Sequence, residues 1–154
     1  MKFIADCHLG KVAKYLRIFG FDTLFFQTID DNDIIKIAKD EEWLVLTSDK
    51  ELYERMKKHN ALYLPHTDFE TQLKEVFRHY NLFKQVNPLS RCIVCNGELE
   101  KVDKQEIINE LEEKTKKYCN SFDRCKNCGR VYWHGDHYKK MLKFVKSFII
   151  NYNT

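Results

Sequence analysis

Four cysteines stand in two pairs, Cys92-Ile-Val-Cys95 and Cys125-Lys-Asn-Cys128. A two-residue spacer lets both thiolates of a pair turn onto one ion, and two such pairs complete the tetrahedral sulfur shell of a structural zinc. Gly97 and Gly129 follow the pairs and let backbone N–H groups come close to the sulfurs. Four sulfur ligands leave no open position, so a zinc here folds a module and does no chemistry. Cys7 and Cys119 are scattered and read as small core thiols.

A second set of residues suits a harder ion. Asp6 closes the apolar run KFIAD, Asp49 closes WLVLTSD, and Asp30, Asp31 and Asp33 open DDNDIIKIAKDE. If the apolar runs are parallel strands, all of these carboxylates emerge at one edge of the sheet, where α/β proteins collect ligand sites. Converging carboxylates repel one another and call for a cation. Oxygen ligands favour Mg²⁺ or Mn²⁺, which activate water and neutralise charge in phosphodiester cleavage. Glu51 and Asp68 are candidate outer ligands. Each Asp also has a plainer reading as a helix N-cap, and for Asp49 the two roles are compatible.

The elements that must position these groups follow from periodicity. KFIAD, DTLFFQ, WLVLTSD and ALYLP read as strands, and a helical pattern follows each of them. Leu9, Val12, Ala13, Leu16 and Phe19 form the first helical stripe, with Gly20 as its C-cap and Lys11, Lys14 and Arg17 on a basic flank. The last of the four helices turns Phe69, Leu73, Val76, Phe77 and Tyr80 inward. Strand–helix alternation over about 80 residues predicts a parallel sheet covered on both faces. No glycine-rich phosphate loop follows the first strand, so a dinucleotide site is unsupported.

Pro88, in VNPLSRC, marks a boundary between residues 1–87 and 88–154. Beyond it the two cysteine knuckles carry short strands. An amphipathic helix is expected over residues 105–117, and a final helix with Tyr138, Met141, Leu142, Val145, Phe148 and Ile149 on one stripe. Of 154 residues, 44% are hydrophobic, enough for a core. No uncharged apolar run approaches the ~20 residues of a membrane span. Asp6 interrupts the N-terminal run where a signal peptide would still be apolar, which predicts a cytoplasmic protein.

The net charge of +3 is unevenly spread. Residues 1–87 carry 13 basic and 14 acidic side chains, whereas residues 114–154 carry 10 and 2. This asymmetry fits a surface for a polyanion, with a solvated lysine-rich face as the alternative. Lys139, Lys140, Lys143 and Lys146 lie off the final apolar stripe. Tyr132, Trp133 and Tyr138 could stack on unpaired bases or serve in the core.

Together FIADCHLGKVAKYLRIFGFDT, LVLTSDKEL and RCIVCNGEL…RCKNCGRVYWHGDHYKKM resemble the Mut-seven C-terminal RNase-domain family over nearly the whole chain. The resemblance implies an α/β fold, a PIN-like parallel sheet with flanking helices, followed by a small zinc-ribbon module with helices. It further implies hydrolysis of RNA at Mg²⁺ or Mn²⁺ held by acids at strand ends. Carried over by position, these acids are Asp6, Asp31 and Asp49. The fourth acid of many PIN nucleases has no firm counterpart, and Asp68 is the nearest candidate. The expected protein is therefore a metal-dependent endoribonuclease with a structural zinc at Cys92, Cys95, Cys125 and Cys128. Lys11, Lys14, Arg17, Lys139, Lys140 and Lys143 would contact single-stranded RNA. A non-catalytic RNA-binding module of the same fold is the rival reading. A phosphotransfer domain is weaker, since no second Asp lies two residues after Asp6.

Overall fold

The computed structural model describes residues 1–56 and 60–153. Four short strands, β1 (Lys2–Ala5), β2 (Asp22–Phe25), β3 (Leu44–Thr47) and β4 (Ala61–Tyr63), form one sheet in the order β2-β1-β3-β4. All three pairings are parallel, with Ile4 opposite both Leu24 and Val45, and Leu46 opposite Leu62. Helices α1 (Gly10–Ile18), α2 (Asp31–Glu41), α3 (Lys50–Arg55) and α4 (Phe69–Tyr80) follow the strands in turn. This is the covered parallel sheet that the strand–helix alternation predicts.

The two-residue period of a strand sorts the side chains into two cores. Phe3, Ala5 and Leu46 point to one face, beneath Leu9, Val12 and Leu16 of the α1 segment and Leu73, Val76 and Phe77 of α4. Ile4 and Val45 point to the other, beneath Ile34 and Ala38 of α2 and Leu52 of α3. The connection after β1 leads to β2 across the first face. The connection after β3 leads to β4 across the second. The chain thus leaves the adjacent strands β1 and β3 in opposite directions, which makes their carboxyl ends a topological switch point. Such a switch point is where open parallel sheets bind ligands.

The second sheet is antiparallel, with β5 (Leu99–Val102), β6 (Phe122–Cys125) and β7 (Val131–Trp133) in that order. The helix expected over 105–117 is interrupted. Helix α5 (Lys104–Ile107), a 3-10 turn (Ile108–Glu110) and α6 (Glu113–Tyr118) replace it. Leu111 and Glu112 between them are extended, at ψ 143° and 153°. Ile107 and Leu111 are buried with Phe122 in a small core of their own. Packing under the ribbon thus overrides the helical period.

Helix α7 (Asp136–Tyr152) closes the chain and packs on the first sheet's helices. Its inward face is Met141, Phe144, Val145, Phe148, Ile149 and Tyr152. Phe144 and Tyr152 thus take places in that core which the sequence stripe gave to Tyr138 and Leu142. Phe148 lies 5.2 Å from Phe19 and 5.0 Å from Phe77, ring centre to ring centre. Each such buried aromatic contributes about 1.5–3 kcal/mol.

The segment before the first knuckle is held in place. Asn87 and Leu89 donate their N–H groups to the carbonyls of Phe19 and Ile18 at 2.9 and 2.8 Å. Gly20 permits this approach. Its φ is +97°, and a Cβ there would sit 2.1 Å from the Asn87 carbonyl oxygen. Among the described residues, no helix is long and apolar enough to cross a membrane.

Candidate functional site

The cysteine quartet is assembled. All four Sγ atoms lie within 4.8 Å of one another. Cys92 and Cys128 are 3.8 Å apart, and Cys95 and Cys125 3.3 Å. A tetrahedron with Zn–S bonds of about 2.3 Å has edges of about 3.8 Å. A disulfide needs about 2.05 Å. The donor set therefore fits a closed structural zinc. Main-chain N–H groups support the sulfurs: Gly97 donates to Cys95, and Asn127 and Cys128 both donate to Cys125, each at 3.4 Å. A Cβ on Gly97 would lie 2.7 Å from the Cys125 sulfur, so only glycine fits.

The thiol acidities follow from these contacts. Burial pushes Cys95 up, but hydrogen bonds from Asn127, Gly97 and Cys125 outweigh it and bring it down to about 6. At Cys128 the Arg130 N–H lowers the value, while burial and the neighbouring sulfurs carry it up to about 11. The Tyr132 hydroxyl lies 2.9 Å from Cys92 Sγ and accepts from the Ile93 N–H at 3.2 Å, so its ring is fixed to the knuckle.

Asp6 is 5% exposed at the end of β1. Its N–H donates to Leu46 O at 3.0 Å. Its carboxylate accepts from the Thr47 hydroxyl, from Ser48 N–H at 2.9 Å and from His8 N–H at 2.9 Å. It caps no helix. It clamps the end of β1 to the end of β3, at the switch point. Asp49, two residues beyond Thr47, caps α3 through the Glu51 and Leu52 N–H groups at 2.9 and 3.4 Å.

Asp31 opens α2, and Asp30 supplies its cap. The Asp31 carboxyl is raised above the ordinary carboxylate range, first by burial and then by the negative charge of Asp49, against the pull of Arg55 at 3.8 Å. Asp31 and Asp49 stand at the starts of α2 and α3, the helices that follow β2 and β3. Among the described residues, however, Asp6, Asp31 and Asp49 do not bring ligand atoms within 4.8 Å of one another as the cysteines do. Asp68 caps α4, and hydrogen bonds from Thr71 hold its carboxyl below the usual range.

The residues at the switch point fit a hard divalent ion in one further respect. The Ser48 N–H donates to Asp6, while its hydroxyl is buried and has no hydrogen-bond partner among the described residues. A buried polar atom without a partner is rare and costly. An oxygen of that kind, directly before Asp49 in the chain, is of the donor type that Mg²⁺ or Mn²⁺ takes.

The basic residues divide. Lys11, Lys14, Lys139, Lys140 and Lys143 are exposed. Arg17 is corrected. It is 8% exposed and donates to Thr23 O at 2.9 Å, Ile93 O at 3.0 Å and Val94 O at 3.3 Å. Its guanidinium joins α1 to the first cysteine knuckle and is not available to RNA. Cys7 also departs from its reading as a core thiol, since it is exposed.

Two groups that sequence reading passes over stand at the acidic edge. His8 follows β1 and His66 follows β4, and their ring centres lie 5.7 Å apart. Their convergence depends on strand order, which local spacing does not encode. Thr47 and Ser48 were visible beside Asp49, but nothing in the sequence aims them at Asp6.

A family model described as the Mut7-C RNAse domain matches residues 1–145. Comparison with curated proteins and with solved structures gives no match.

Proposed function

The chain belongs to the Mut7-C RNAse domain family, and from that membership we propose that it is a divalent-metal-dependent ribonuclease with its reacting centre at the ends of β1 and β3. The single observation that carries this reading is Asp6. A carboxylate 5% exposed, fixed by three donors at the switch point of a parallel sheet, is built for a fixed position. A bound Mg²⁺ or Mn²⁺ would supply charge neutralisation and an activated water.

The chain's own residues do the rest. Asp6, Asp31 and Asp49 are the residues that would hold the ion, and the Ser48 hydroxyl would offer one more oxygen. Asp6 needs no reorganisation, because Thr47, Ser48 and His8 already fix it. Asp49 keeps one oxygen on the α3 N–H groups, and its other oxygen would serve the ion. Lys11, exposed in the first turn of α1 beside this edge, attracts the phosphodiester.

RNA binding without turnover is the second reading. It is favoured by the engagement of both Asp6 oxygens by protein donors. The deciding experiment is incubation of unstructured RNA with purified protein in Mn²⁺, comparing the parent with Asp49→Asn. Cleavage by the parent, lost in the variant with RNA binding kept, supports the nuclease. Binding with no cleavage by the parent leaves the second reading.

A further inference from the structure

A cleft of about 790 Å³ opens where α1, β7 and α7 meet, away from the carboxyl ends of the strands. That volume lies in the range of sites for small ligands and single nucleotides, roughly 300–1,000 Å³. We propose that this cleft is a docking site for unpaired bases of single-stranded RNA. The proposal rests on the reading of RNA as substrate and adds to it a second contact region.

Three cations from three different elements stand on its rim: Lys14 of α1, Arg130 before β7 and Lys140 of α7. None has a carboxylate within 4.0 Å among the described residues. Glu110 also lines the cleft, but its carboxylate is paired with Arg124. Three cations without a carboxylate partner around one opening suit an anion with charge at more than one point. Lys139, Lys143 and Lys146 do not line the cleft, so the fold singles out Lys140 from the lysines of α7.

The walls are flat aromatic rings. Trp133 is 46% exposed although it is a large apolar side chain. Tyr138 is stacked on His134, with ring centres 3.9 Å apart and planes 14° apart, and His134 is held by Asp123 at 2.9 Å. Tyr132 is pinned by its hydroxyl to Cys92 and Ile93. Tyr132 and Tyr138 are therefore fixed before any ligand arrives, which lowers the ordering cost of binding. Aromatic faces beside a basic track are how proteins hold single strands without reading sequence. A duplex keeps its bases stacked inside and offers them no ring face.

The position also fits a strand that continues to the acidic edge. Lys11 lies one turn nearer the start of α1 than Lys14, about 4.5 Å along the helix axis. A strand docked in the cleft and passing Lys14 and Lys11 would reach the end of β1.

Intrinsic fluorescence tests this directly. The chain has two tryptophans, and Trp43 is 5% exposed while Trp133 faces the cleft. The probe is an eight-nucleotide oligouridylate, titrated into zinc-loaded Asp49→Asn protein, so that cleavage does not complicate binding. The expected result is quenching of Trp133, absent in Trp133→Leu. The dissociation constant should rise roughly fivefold or more in Trp133→Leu, the loss of one stacked base, and recover in Trp133→Tyr. Lys14→Ala and Lys140→Ala should each lower the salt slope by about one. Circular dichroism and zinc content unchanged from the parent would show that the variants fold. Equal affinity in Trp133→Leu and Lys140→Ala, or equal binding of an eight-base-pair RNA duplex, would overturn the proposal. Base docking in a parent that never cleaves would leave the cleft standing and remove the nuclease reading. Cleavage with a KM unmoved by Trp133→Leu and Lys140→Ala would do the reverse.

Discussion

Arg17 and Ile93 join the two sheets of this protein: the guanidinium in the last turn of α1 donates to the Ile93 carbonyl beside Cys92 at 3.0 Å. The same side chain reaches Val94 O and Thr23 O. Close by, the Asn96 side chain accepts from the N–H of Thr23 at 2.9 Å and donates to Asp22 at 2.6 Å. The knuckle thereby occupies the exposed edge of β2, which would otherwise offer an unpaired strand to other chains.

Arg17→Met should therefore destabilise the protein by about 2–4 kcal/mol, since it leaves buried carbonyls without a donor. Arg17→Lys should recover only part of this, because an ammonium cannot span three acceptors in a planar fork. Urea unfolding measures both. Stability equal to the parent in Arg17→Met would mean that the contact carries no energy.

One zinc per chain is expected by elemental analysis. Cys125→Ser should abolish it and unfold β5, β6 and β7, because so small a sheet cannot bury enough surface alone. Cys119→Ser should keep the zinc, since Cys119 lies outside the quartet. Zinc retained in Cys125→Ser would require a different ligand set.

The two aspartates at the strand ends should respond differently to Asn. Asp49→Asn keeps the α3 cap, because an amide oxygen still accepts from Glu51 and Leu52, and stability should change by less than about 0.5 kcal/mol. Asp6→Asn should cost about 1–3 kcal/mol, because its NH₂ would face a hydroxyl or N–H donor where a carboxylate oxygen now accepts. Both should lose cleavage by orders of magnitude if they hold the ion. Thermal melting and RNA cleavage in Mn²⁺, run in parallel, separate the two effects.

Asp31 sets a pH dependence. Its folded-state carboxyl is raised above 3.8 by burial and by Asp49. The fold is therefore favoured below 3.8, and this contribution is lost as pH rises through the raised value. Asp31→Asn should raise the melting temperature at pH 7 and leave it nearly level at pH 3. A lower melting temperature at pH 7 would show that the Arg55 pairing outweighs the repulsion.

Phe148→Ala should destabilise the whole protein by about 3–5 kcal/mol. The side chain is 1% exposed and packs on Phe19 and Phe77. A single cooperative transition, shifted as one, would show that α7 is part of the first sheet's core. A small independent transition would show that residues 1–87 fold without it.

Some of this was legible in the sequence by itself. The cysteine quartet was, because each pair is set by a two-residue spacing that needs no tertiary information. The alternation of strands and helices was also, because the periods of KFIAD and WLVL differ from that of the first helical stripe over a few residues. The strand order was not, because pairing joins β1 to β3 across some 40 residues of chain and local periodicity carries no partner. Only that order places Thr47 and Ser48 on Asp6, and His8 near His66. Arg17 shared a basic flank with Lys14 in the sequence, yet the ribbon folds over it and buries it. The helical period of α7 was visible, but which part of its surface met the core was decided by Phe19 and Phe77, more than 58 residues away in the chain. Residues close in sequence reveal spacing and period, whereas burial and convergence depend on which distant surfaces the fold brings together.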